Sequence, residues 1–325
     1  MSFTILVTGG AGYIGSIATE ILLECGYHVV VLDDLSTGHK ESLFKDVPFY
    51  NTNIGNKDSL KKIFSENRID AVLHFAGAAL VEESMRNPQK YFDINFCQAQ
   101  NLLDVMILFN VKKIVFSSTC AVYGVPDEEA IPISEICKTK PINPYGESKL
   151  LFEQALEWYK KTYDLDYIAL RYFNVAGATE QRKENHNPET HLIPLVIKAL
   201  NDKNYELSIY GNDYPTKDGS AIRDYVHVID LINVHIKAIE ALINQKKHSD
   251  VYNVGYGHGY SVFEIVNAAK EIFNKDIPYR ISPRRSGDPP ILISNSNKVR
   301  EDLNWKPKYD DIHEIIRSAC KNLFA

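Results

Sequence analysis

Residues 4 to 15 read TILVTGGAGYIG, a short β-branched run that breaks into three glycines at three-residue intervals, Gly9, Gly12 and Gly15. Few local patterns leave a chain so little choice. The strand must end near Thr8, a tight turn must follow, and a helix must open at Tyr13 and Ile14, with the last glycine letting it pack closely. The amides at the start of that helix are unpaired and converge on one point, which suits the pyrophosphate of a dinucleotide. The second apolar run, HVVVLDD at 28 to 34, ends with Asp33, where a carboxylate bonds the adenosine ribose hydroxyls. The same charge repels a 2′-phosphate, so NAD is expected rather than NADP.

Short apolar runs continue to alternate with helix-length amphipathic segments: AVLHFAG (71 to 77), KKIVFSS (112 to 118) and YIALRYFN (167 to 174). Such alternation predicts βαβ units and an α/β fold, a Rossmann-like doubly wound parallel sheet. Residues 1 to 178 are expected to form the NAD-binding domain, with a returning segment near 225 to 257 that includes SDVYNVGYG. Residues 179 to 325, where polar loops and short strands mix, are expected to form a smaller mixed α/β domain. Two domains without a linker share a cleft.

A net charge of −6 argues against a nucleic-acid partner, which demands clustered Lys and Arg. No apolar stretch approaches the ~18 residues that span a bilayer, and the first strand lacks a signal peptide's flanks, which places the chain in the cytoplasm. The 5 cysteines, odd in number and without a C-x-x-C pair, read as reduced thiols. No metal set is read either. His186 and His191, in ENHNPETH, are interrupted by Pro188 and have no helix to hold both rings on an ion. His74 at a strand end is either a packed histidine or a cofactor contact.

In NPYGESK, residues 143 to 149, Asn143 is a natural N-cap and Pro144 a natural first helical residue. Tyr145 then lies in the first turn with Lys149 one turn on, on the same face. An ammonium, a helix N-terminus and a positive nicotinamide all favour the phenolate, so Tyr145 is expected to be acidified into a base. Alternatively, Lys149 simply pairs with Glu153. Upstream, FSSTCAVYG gathers hydroxyls that include Thr119, followed by Cys120 and Ala121 rather than acids. A hydroxyl, a phenol and a lysine around a nicotinamide make a site for carbinol oxidation.

The glycine loop, the S-S-T run and Y-x-x-x-K resemble the extended short-chain dehydrogenase/reductase family. RYFNVAGA, HLIPLV, GNDYPTKDGSAIRDYVHV and PRRSGDPP resemble its sugar-nucleotide 4-epimerases, nearly end to end. The resemblance implies a UDP-sugar substrate, inversion at carbon 4 through a transient keto sugar, and a bound NAD that is unchanged overall. It assigns catalysis to Tyr145, Lys149 and Thr119. To the cofactor it assigns Gly9, Gly12, Tyr13, Ile14, Gly15 and Asp33, then Asn53, Ile54, Phe75, Ala76 and Asn95, together with Tyr145 and Lys149. On the substrate side, Thr119 is joined by Asn174, Arg223 and Arg285 near the pyrophosphate, Tyr210 near uracil, Asp288 near the ribose and Leu292 near the hexose. Related dehydratases carry Asp and Glu where this chain has Cys120 and Ala121, so elimination is not expected. Cys120 reads as a packed thiol, the alternative being a nucleophile. Asn53, Ala79 and Ala121 depart from better-known members. A homodimer through helices near 90 to 108 and 147 to 163 is also implied. Competing functions are a net oxidoreductase that releases reduced cofactor, and a non-catalytic nucleotide sensor.

Overall fold

The computed structural model describes residues 3–186, 188–285 and 287–321. The β-branched runs form the strands β1 (Thr4–Thr8), β2 (His28–Asp33), β3 (Phe49–Asn51), β4 (Ala71–His74), β5 (Lys113–Thr119) and β6 (Asp166–Tyr172). With the later strand Asp250–Val254 they make one seven-stranded parallel sheet, in the order Asp250–Val254, β6, β5, β4, β1, β2, β3. These strands are apolar at nearly every position because both faces are covered, as parallel sheets require.

Alternation along β1 shows the two faces. Ile5 and Val7 join a core with Ile17 and Leu22 of helix α1 (Tyr13–Glu24) and with Leu231 and Ile239 of the helix Val228–Ile243. Leu6 points the other way, into a core with Leu60, Leu102 and Phe152 from the helices Lys57–Glu66, Ala99–Leu108 and Pro144–Tyr163. After β1 the chain winds outward to β2 and β3, then crosses back to place β4 on the other side of β1. A sheet built this way opens a crevice at the carboxyl ends of the two strands where the winding reverses, here β1 and β4.

Beyond β6 the chain leaves the sheet. Asn174–Ala176 pairs with Tyr225–His227, Leu207–Tyr210 pairs with Tyr279–Ser282, and Ile222–Arg223 is flanked by Tyr260–Ser261 and Ile291–Leu292. Between these excursions the helix Val228–Ile243 packs across β4, β5 and β6, and Asp250–Val254 pairs with β6. Residues 225 to 257 thus include this helix and the outer strand of the large sheet. Among the described residues no helix is long and apolar enough to cross a membrane.

Candidate active site

The glycine turn sits at the carboxyl end of β1. Gly9 has φ +73°, and a Cβ there would meet the Ala76 nitrogen at 2.7 Å; one at Gly15 would meet the Gly9 carbonyl at 2.1 Å. The turn is closed from behind. At Gly12, which caps α1 without any side-chain hydrogen bond, a Cβ would meet only Gly9 O, at 3.4 Å. The front of the turn and the first amides of α1 thus stay free for an anion, which is the fit a dinucleotide pyrophosphate needs. Asp33, 7% exposed, accepts from Ala11 N at 3.0 Å and Leu35 N at 2.8 Å. Burial raises its pKa, and these two amides oppose the rise.

The neighbouring expected residues take different parts. Tyr13 is buried and its hydroxyl donates to Gly177 O at 2.6 Å, tying the turn to the segment after β6, while Ile14 packs half-buried on the α1 core. Ile54 is also core, so its side chain faces away from a ligand. Asn53 donates to Asp34 at 2.8 Å and accepts from Gly55 N at 2.7 Å. The amides of Phe75 and Ala76 both reach Thr8 O at 3.1 Å, closing the β1–β4 crevice. Asn95 lies in a π-helical turn, Asp93–Gln98, where it brackets Ala78 through N and O and donates to Ser148 at 3.0 Å. His74 is a packed residue: Thr8 Oγ1 is 2.7 Å from its Nδ1, and burial pushes its pKa down to about 3.

Asn143 caps the helix Pro144–Tyr163 by accepting from Gly146 N at 2.8 Å, which sets Tyr145 in its first turn. Lys149 is 4% exposed, donates to Ser117 O at 3.0 Å and lies 4.8 Å from the Phe116 ring centre. Burial pushes its pKa down to about 8, against an opposing pull from Glu153. The Lys149–Glu153 pairing considered above is not made, because Glu153 is held by Arg171 at 2.6 Å and by Ser118. Thr119, at the end of β5, accepts from Ala121 N at 3.1 Å and hydrogen-bonds Tyr145.

The protein's own groups do not acidify Tyr145: burial drives its phenol well above the ordinary value, Tyr172, Cys120 and Tyr91 add to the rise, and only the Thr119 hydrogen bond opposes it. The positive charge needed to reverse that must come from a bound group. Cys120 is likewise pushed up by burial, to about 12, and packs with Phe173 and Leu292. A thiol held neutral is no nucleophile. Cys120→Ala is therefore expected to leave kcat within a few-fold of the wild type, and inactivation would restore the thiol to the chemistry.

On the far side of the crevice the small sheet aligns Arg223 with Leu292. Arg223 pairs with Asp288 and donates to Pro289 O at 2.6 Å, so the two residues read separately as pyrophosphate and ribose contacts form one unit. The Arg285 guanidinium lies 4.0 Å over the Tyr210 ring, covering one face of it, and its buried Nε has no hydrogen-bond partner among the described residues. An orphaned guanidinium N–H is what a phosphate or carbonyl oxygen satisfies. Asn174 opens the strand that pairs with Tyr225–His227. Asp224, not picked out from the sequence, is fully buried and accepts from Tyr256 N at 2.8 Å, Gly257 N at 3.0 Å and Ser294 Oγ at 2.6 Å. It fixes the strand carrying Leu292, and its one local signal was a charge beside Arg223 in an otherwise apolar run. The reading of His186 and His191 is also revised: without any helix, a loop brings their rings to 5.0 Å.

Residues 5–255 match the model of the family described as NAD dependent epimerase/dehydratase. The UDP-glucose 4-epimerase of Lacticaseibacillus casei is 48% identical over 97% of this chain and 95% of its own. The UDP-glucose 4-epimerase of Bifidobacterium longum, solved with NAD+ and UDP, superposes with a TM-score of 0.91 at 37% identity, covering 98% of each chain. The UDP-Glc/GlcNAc 4-epimerase of Campylobacter jejuni superposes at 0.84 with 38% identity, again over 98% of each. By that match over most of its length and these relatives, the chain belongs to the NAD dependent epimerase/dehydratase family, on its UDP-glucose 4-epimerase branch.

Proposed function

We propose that this chain interconverts UDP-glucose and UDP-galactose by inverting carbon 4. The observation that supports this reading is that Thr119 lies against Tyr145, with Lys149 one helical turn on, while the positions after Thr119 hold a neutral thiol and a methyl group. NAD, when bound by the glycine turn and Asp33, supplies the oxidant for carbon 4 and a positive ring that favours the phenolate. Tyr145 accepts the proton of the 4-hydroxyl and later returns it, and Thr119 orients that proton through its hydrogen bond to the phenol. Lys149, anchored on Ser117 O, holds a positive charge one turn below Tyr145. Cys120 and Ala121 cannot remove a carbon-bound proton, so a 4-keto sugar loses no water here and is reduced again. Residues 1–178 with the returning helix and strand make the cofactor side, and the remainder the UDP-sugar side. Arg285 Nε and the Arg223–Asp288 unit receive the UDP.

Incubation with UDP-galactose and no added cofactor is expected to yield UDP-glucose. Accumulation of reduced nicotinamide in proportion to substrate would instead indicate a net oxidoreductase. We place the enzyme in the cytoplasm as a homodimer, supported by the exposed Leu108, Trp158 and Tyr163 on the helices expected at the interface.

A specific observation favours wider sugar tolerance. Leu292, which the resemblance puts beside the hexose, is 6% exposed and packs with Cys120, next to Thr119, with a short apolar side chain. An acetamido group has room there, and activity on UDP-N-acetylglucosamine is expected. In Leu292→Tyr, overfilling penalises the larger ligand, and the ratio of kcat/KM for the acetamido sugar to that for UDP-glucose is expected to fall ~10-fold or more. Equal loss on both sugars would remove Leu292 from sugar selection.

A further inference from the structure

Between the strand Asn174–Ala176 and the helix Leu192–Asn201 runs a loop that the chemistry above does not use. It carries Glu184, His186, Glu189 and His191, one ligand atom of each lying within 4.8 Å of all the others. We propose that these four side chains form a structural site for a single transition-metal dication, zinc by its donor chemistry, which fastens this loop behind the glycine turn.

The donor set is two imidazole nitrogens and two carboxylate oxygens, which suits a borderline dication such as zinc better than the all-oxygen preference of calcium or magnesium. Glu184 Oε1 lies 3.1 Å from His186 Nδ1 and 2.8 Å from His191 Nδ1; Glu189 Oε1 lies 3.0 Å from His191 Nδ1. Ligands of a tetrahedral ion, each ~2.0–2.1 Å from the metal, stand roughly 3.3 Å apart. These three pairs are closer than that value, while His186 Nδ1 and Glu189 Oε2 stand 3.8 Å apart and no pair exceeds 4.8 Å, so side-chain rotation about a central ion completes the shell. Charge agrees with geometry. Two carboxylates and two neutral imidazoles carry −2, which a dication neutralises, and the Glu184 side chain is only 7% exposed, where an uncompensated charge is costly. Glu189 is already oriented by the amides of Thr190 and His191, each 2.8 Å from its Oε1, the kind of outer support that metal ligands have.

The site's neighbours give it a role. The His186 ring meets Tyr13, the residue that opens α1, edge to face at 6.2 Å. His39 Nε2 lies 2.7 Å from Asn185 O, and Arg182 stacks on Phe44 at 3.8 Å and pairs with Glu20 of α1 at 3.4 Å. The loop therefore clasps the first βαβ unit from outside, and an ion would lock the clasp without touching the reacting atoms.

The test uses the chain with its cofactor bound, stripped by a chelator and dialysed against zinc chloride. Elemental analysis is expected to find one zinc per chain in the wild type and none above background in His186→Ala/His191→Ala. Cobalt in place of zinc is expected to give the visible bands of a tetrahedral nitrogen and oxygen site without a thiolate charge-transfer band, a measurement that needs no variant and separates this site from the cysteines. Zinc at ~100-fold over its Kd is expected to raise Tm by on the order of 5 °C. Wild type that binds no more zinc than the double variant, or a cobalt spectrum with thiolate character, would overturn the proposal and leave a cluster bridged by protons alone.

Discussion

Replacing Tyr145 by phenylalanine is expected to lower kcat by ~10²–10⁴-fold, the range a positioned acid or base contributes, while the bound NAD content and KM stay near wild type. The size follows from the lack of a substitute. His74 is held by Thr8 with its pKa pushed down to about 3 by burial, so its ring nitrogen is a poor proton acceptor. Cys120 is pushed up to about 12, and Lys149 is occupied with Ser117 O. Thr119 relays a proton but has no tendency to keep one. NAD content, read after denaturing the protein, separates loss of the base from loss of the cofactor. An enzyme with unchanged turnover would remove the phenol from the mechanism.

Arg171→Met is expected to destabilise the fold by about 3–5 kcal/mol, because it strands the Glu153 carboxylate inside the protein. The Arg171 and Glu153 side chains are 8% and 6% exposed and lie 2.6 Å apart. Arg171 also donates to the Tyr123 hydroxyl at 3.0 Å, which in turn donates to Asn253 at 2.7 Å, so the pair links β6, the turn after Thr119 and the edge strand. The loss should appear as a fall in Tm of about 5 °C. Catalysis should suffer beyond stability, since an unpaired Glu153 competes with Ser117 O for Lys149. Adding Glu153→Leu should recover most of the stability, because removing both charges leaves neither buried alone. A single variant as stable as the wild type would show that the pair holds nothing together.

What could be read from the chain without its structure was whatever is encoded locally. The strand runs, the glycine turn, Asp33 at the end of β2 and the cap that presents Tyr145 each depend on residues a few positions apart, where spacing dictates geometry. Choices made across the fold were not legible. Glu153 is one turn from Lys149 in sequence, yet it bonds Arg171 because β6 brings a guanidinium closer than the helix brings the ammonium. Arg223 and Asp288, given separate duties, meet because the pairing of Ile291–Leu292 with Ile222–Arg223 brings the residues just before it alongside the guanidinium. Burial of the Tyr145 phenol was not legible either: helical spacing shows the cation nearby but says nothing of how deeply the phenol is buried. His186 and His191 were set apart by a proline, and a loop folded around it joined them.

The strand Asp250–Val254 also bears on how the chain comes to be folded at all. Tyr167 and Ser249 hydrogen-bond across 82 residues, so the outer neighbour of β6 is made long after β6 itself. On a ribosome, where domains fold as they emerge, the dinucleotide half waits with an open parallel edge until the whole excursion and the returning helix have been synthesised. Pairings that distant are slow to close, and an uncovered edge is a template for other chains. The order of synthesis and the order of the sheet disagree, so the large sheet is complete only after the whole excursion has been made.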